Sequence, residues 1–74
     1  MTATTLPTAL ECETIAVDCL CLRYADQLFT DSVILSLCEP TLKALEILYP
    51  EAANVEPDKV YQKVIARLNP ANRF

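Results

Sequence analysis

The chain contains no glycine. Glycine supplies the positive φ angles of tight hairpin turns and the open backbone of phosphate-cradling loops. Its absence excludes a P-loop, a G-x-G-x-x-G dinucleotide fingerprint and a glycine-rich RNA-binding motif, since each needs backbone that a Cβ would block. No Asn-Gly or Asp-Gly turn exists to close a two-residue hairpin. Histidine is missing too, which removes Ser-His and Cys-His nucleophile pairs and a Cys₂His₂ zinc site. Punctuation falls instead to Pro7, Pro40, Pro50, Pro57 and Pro70, and these divide the chain into segments of helical length.

The last segment has the clearest period. Pro57 suits the first turn of a helix, with Asn54 or Glu56 as a capping residue. Val60, Val64 and Leu68 recur at i, i+4 and i+8 with Tyr61 and Ile65 alongside, which is one apolar stripe at helical spacing. Asn69 is expected to close it in the left-handed conformation that glycine would otherwise take. Between Pro40 and Pro50, Leu42, Leu45, Leu48 and Tyr49 share a face opposite Lys43 and Glu46. Earlier in the chain, Thr8-x-x-Glu11 forms a capping box. The helix it starts has Val17, Leu20, Cys21, Tyr24, Ala25 and Leu28 on one side, yet Ile15, Cys19 and Leu22 fall among the charges on the other. Thr30 or Asp31 can cap a further helix that Pro40 kinks or ends.

The predicted fold is an all-α bundle of three to four short helices, at about 9–28, 31–38, 40–49 and 57–68. It forms one small domain over residues 1–74, with residues 1–7 and 70–74 frayed. The alternative is an α+β fold with a two-stranded element in residues 14–38, because the short apolar runs Ile15–Leu22 and Val33–Cys38 also suit buried strands.

Charge divides the chain unevenly. Residues 1–56 carry two basic and nine acidic groups, a balance of −7, whereas residues 57–74 carry Lys59, Lys63, Arg67 and Arg73 against Asp58 alone, a balance of +3. Lys59, Lys63 and Arg67 line up as a ridge on the last predicted helix. One reading of that ridge is a solvated helix face. A second is a dock for an acidic protein surface, including the acidic half of another copy. A third is phosphate contact, which the net charge of −4 opposes.

Cys12, Cys19, Cys21 and Cys38 are the only side chains with strong ligand or nucleophile potential. No C-x₂-C knuckle is present, and on a helix Cys19 and Cys21 point roughly 200° apart. They read as small buried hydrophobes, with a thiol-based redox or metal sensor as the competing reading. The carboxylates lack a pocket to shift their pKa values. No catalytic residue, metal site or cofactor is therefore expected.

Apolar residues make up 53% of a 74-residue chain, more than so small an interior can hold, so part of them must lie on the surface or in an interface. The function predicted is a non-catalytic protein–protein interaction module (a small adaptor, regulator or accessory subunit) that forms a homodimer. The partner-binding residues expected are Leu45, Leu48, Tyr49, Tyr61, Ile65 and Leu68, flanked by the cations Lys59, Lys63, Arg67 and Arg73. A helical nucleic-acid-binding regulator using those cations is the alternative. The N-terminus has neither a basic n-region nor a long apolar stretch, and Thr14–Leu22 falls short of a membrane helix. The expectation is a cytoplasmic protein with reduced thiols and no membrane contact.

Overall fold

The Thr8 hydroxyl accepts from the Glu11 amide, and the Glu11 carboxylate accepts from the Thr8 amide at 3.0 Å. This reciprocal pair opens α1 (Ala9–Arg23). The computed structural model describes residues 6–74; the expected fraying of residues 1–7 falls outside that range for residues 1–5. Two further helices follow, α2 (Asp31–Leu48) and α3 (Pro57–Arg67), with 3₁₀ turns at Pro50–Asn54 and Pro70–Asn72. The protein is a small all-α bundle, and among the described residues no strand forms. The alternative of a two-stranded element in residues 14–38 is overturned, since α1 and the first half of α2 occupy that stretch.

Helix α1 ends at Arg23 rather than near Leu28 because Phe29 leaves the helical path to enter the core, where it is 4% exposed. The chain turns through Tyr24–Asp26. Thr30 then caps α2, its hydroxyl accepting from the Val33 amide at 3.2 Å. The two helices expected at 31–38 and 40–49 are a single helix that runs through Pro40. Proline lacks the N–H that would donate to the Ser36 carbonyl. Ser36 and Pro40 both lie on the exposed side, so water can satisfy that carbonyl. Ile34, Cys38, Leu42 and Leu45 meanwhile hold the two halves against one core. Burial on the far side overrides the local breaker.

Pro57 occupies the first turn of α3, as its missing N–H permits. The helix ends one residue before the predicted boundary, with the Leu68 amide donating to the Val64 carbonyl at 2.9 Å. Asn69 does not take the left-handed conformation: its φ is −65°, and its side chain accepts from the Ala71 amide to start the last turn. The core gathers Cys12, Ala16, Val17 and Leu20 from α1, Ile34, Cys38 and Leu42 from α2, and Val60 and Val64 from α3, closed by Phe29, Ala52, Val55 and Leu68.

The segment 70–74, expected to fray, is hydrogen-bonded to the α1–α2 connection. The Phe29 amide donates to the Asn72 carbonyl at 2.9 Å, and the Phe74 amide donates to the Phe29 carbonyl at 2.7 Å. These bonds form an isolated parallel bridge between Phe29 and Arg73.

Candidate functional site

The basic ridge of the C-terminal third does not stand free in solvent. Lys63 Nζ pairs with Glu13 Oε1. Arg67 Nη1 lies 2.6 Å from Asp18 Oδ1. Arg73 grips Asp31 with two donors, Nε at 2.7 Å from Oδ1 and Nη2 on Oδ2, the fork geometry in which guanidinium meets carboxylate best. Two of these pairs fasten α3 to α1, and the third fastens the last turn to the start of α2. The sequence separates the charges by segment; the fold brings them back together. Among the described residues, Lys59 has no carboxylate within ion-pair distance.

The three pairs differ in setting. Glu13 is buried, its side chain only 10% exposed, while its partner Lys63 is half exposed. The Arg67–Asp18 and Arg73–Asp31 pairs lie at the surface, where water and salt weaken such contacts. The Arg73 hydrogen bonds hold the Asp31 carboxyl below the usual carboxylate range. A depressed acid stabilises the fold above its unfolded value and loses that contribution as pH falls through the folded one. The C-terminal clasp is therefore expected to stay closed at neutral pH and to loosen only below about pH 4. An NMR titration of the Asp31 carboxyl carbon and the Phe74 amide checks this. In Arg73→Gln the Asp31 midpoint rises and the Phe74 amide loses its protection.

The apolar partner-binding residues expected from the sequence separate into three groups. Leu45, Tyr49, Tyr61 and Ile65 are half-buried against the core. Leu68 is a core residue, 5% exposed, so it cannot face a partner; burying it completes the α3 stripe against α1 and α2. Only Leu48 stands open, at 67% exposed, and the neighbouring Ile47 is more open still at 85%. A larger exposed apolar set lies outside the partner-binding residues expected: Leu10 and Leu22 on α1, Val33 and Leu35 on α2, and the terminal Phe74. A four-and-three spacing through α2 carries the signal for part of it, hidden by the expectation that Pro40 divides the helix.

The thiols also fall into classes. Cys12 and Cys38 are fully buried, and burial pushes both thiols up, with Glu51 and Glu11 adding to Cys12 and Asp58 to Cys38. The Cys38 thiol donates to the Ile34 carbonyl at 3.2 Å. Cys21 is half-buried and raised chiefly by burial, with Arg67 opposing. Cys19 is exposed, so the reading of every cysteine as buried filling fails there. Among the described residues no cluster of three potential ligands could hold a metal ion. A maleimide reagent is expected to label Cys19 rapidly and Cys12 and Cys38 only when the fold opens. Equal rates at all four thiols would contradict this packing.

No helix among the described residues is long and apolar enough to cross a membrane. No protein-family model, curated protein or solved structure matches the chain.

Proposed function

We propose that the chain is a non-catalytic protein–protein interaction module, a small adaptor, regulator or accessory subunit that acts by presenting apolar helix surface to another protein chain. One observation carries the reading. Leu22, Ile47 and Leu48 are 79%, 85% and 67% exposed on a chain of only 74 residues, whereas Lys63, Arg67 and Arg73 are each engaged by a carboxylate of the same chain. Recognition is thus assigned to the apolar surface, with the cations serving the fold. A cytoplasmic setting, where thiols stay reduced, belongs to the same reading. Binding to nucleic acid draws less support, because phosphates would have to displace three internal carboxylate partners.

The test is association as a function of salt. The 74-residue chain is followed by sedimentation, and proteins retained on it from its native extract are quantified by mass spectrometry. Self-association, or one retained partner in stoichiometric amount, persisting in high salt, is the expected result. Phosphate-driven binding would weaken steeply with salt. A chain that stays monomeric at high concentration and retains nothing overturns the proposal.

A further inference from the structure

Residues 69–74 leave the core and dock on one stretch of backbone. Leu68 is the last buried side chain, and beyond it only Asn72 is as much as half-buried. Among the described residues, every hydrogen bond from this segment to the body of the protein falls on residues 25–31. The Phe29 amide donates to the Asn72 carbonyl, and the Phe29 carbonyl accepts from the Phe74 amide. Arg73 therefore lies opposite Phe29 in parallel register. Its guanidinium forks onto the Asp31 carboxylate, and the Asn72 side-chain amide donates to the Ala25 carbonyl at 3.4 Å. The receiving stretch thus contacts the main chain on both sides of an arginine and the arginine itself.

The two sides of this contact differ in how firmly they are held. Phe29 is anchored by its side chain in the core. Thr30 caps α2 through its hydroxyl, and Asp31 stands in the first turn of that helix. The receiving side therefore keeps its shape when the segment lifts away. The segment itself places no side chain in the core. It is held by backbone hydrogen bonds and by an ion pair open to water, each of small net worth. Such contacts open locally at low free energy. Opening leaves the Phe29 N–H and C=O as a short unpaired edge beside a carboxylate, and unpaired backbone groups of this kind seek a new strand.

We infer that residues 25–31 form a docking slot for an extended, arginine-bearing segment of another protein, and that residues 69–74 are its internal ligand, closing the slot until displaced. Pairing along the main chain of Phe29 suits any extended strand. Asp31 selects arginine, because a guanidinium meets a carboxylate with two parallel donors where lysine offers a point charge. The pattern required is x-Arg-x, the first residue giving its carbonyl and the last its N–H. Attachment through α3 gives the internal segment an effective concentration in the millimolar range. An outside segment therefore enters when the internal one is weakened or when it brings further contacts, for which Leu28, exposed beside Phe29, is placed. The slot is separate from the exposed apolar residues Leu22, Ile47 and Leu48 of the interaction module, so its failure leaves that reading standing.

The probe is the peptide Asn-Pro-Ala-Asn-Arg-Phe, blocked at both ends and titrated into the isotope-labelled 74-residue chain. The Phe29 and Asp31 amide signals in NMR spectra report binding. The wild type is expected to bind only at millimolar peptide, because its own segment competes. Arg73→Gln weakens that competitor, and the peptide should then bind about fivefold more tightly, the worth of one exposed ion pair. Adding Asp31→Asn to that variant is expected to cancel the gain, as is moving the Arg73→Gln change into the peptide as well. On the unmutated chain, millimolar peptide should speed hydrogen exchange at the Phe74 amide and leave the Leu68 amide, bonded to Val64 within α3, unaltered. That readout holds should a variant fold poorly. Equal binding to wild type and Arg73→Gln, indifference to Asp31→Asn, or unchanged Phe74 exchange overturns the inference, as does the absence of any shift at Phe29.

Discussion

Ile34→Ala is expected to cost about 3 kcal/mol, the middle of the range for truncating a buried isoleucine or leucine. Ile34 is fully buried and is the largest side chain that the core encloses completely. It belongs to the face of α2 that also supplies Cys38 and Leu42, so a vacancy there loosens α2 against both other helices. A domain of this length has a total stability of about 4–11 kcal/mol, of which the substitution removes a large part. The corresponding fall in melting temperature is roughly 15 °C. Urea unfolding of wild type and variant at one fixed protein concentration checks it. The midpoint should fall with little change in slope. A loss below about 1 kcal/mol would mean that the site collapses around the smaller side chain.

The second large effect concerns the buried end of the Glu13–Lys63 pair. Lys63→Ala is expected to destabilise the protein by about 2 kcal/mol, because it leaves the Glu13 carboxylate buried without its counterion. The figure is set below that for a wholly buried pair because the lysine end is half exposed and screened. Glu13→Leu should be far milder: the apolar side chain fills the site beside Val17 and Ala16, and the released lysine is free to extend into water. The two single variants and the double variant, unfolded in urea at pH 7, give the asymmetry directly. The opposite order, with Glu13→Leu the costlier change, would show that the carboxylate is solvated and the pair is an ordinary surface contact.

These two sites also mark what could and could not be read from the sequence. The start of α1 was legible because the capping box Thr8–Glu11 is local, and α3 was legible because Pro57 and the Val60–Val64–Leu68 spacing fall within one segment. Pro40 was misleading for a physical reason. A proline breaks a helix only when the lost hydrogen bond and the ring cannot be accommodated, and that depends on which side of the helix it faces. The answer lies in the packing of Ile34, Cys38 and Leu42, set by residues far along the chain. The basic ridge was likewise visible as a ridge, but its partners Glu13 and Asp18 lie about fifty residues away. Segment charge therefore suggested a docking face where the fold makes internal clasps. Leu68 illustrates the same limit: a helical stripe identifies the residues that seek cover without saying whether the cover comes from the chain itself or from another.

The contacts of α3 carry a consequence for how the chain reaches this structure. Helix α3 follows α2 after a short turn, so those two elements can meet by closing a small loop, whereas Lys63–Glu13 and Arg67–Asp18 close loops of 50 and 49 residues. Loop entropy favours the pairings of neighbours in sequence, α1 with α2 across residues 24–30 and α2 with α3 across residues 49–56, before the α1–α3 contacts that close the long loops. Contacts that form after the rate-limiting step change the unfolding rate and leave the folding rate nearly untouched. The carboxylate clasps between α1 and α3 then act as latches that slow opening, setting how long the chain stays folded more than how fast it folds.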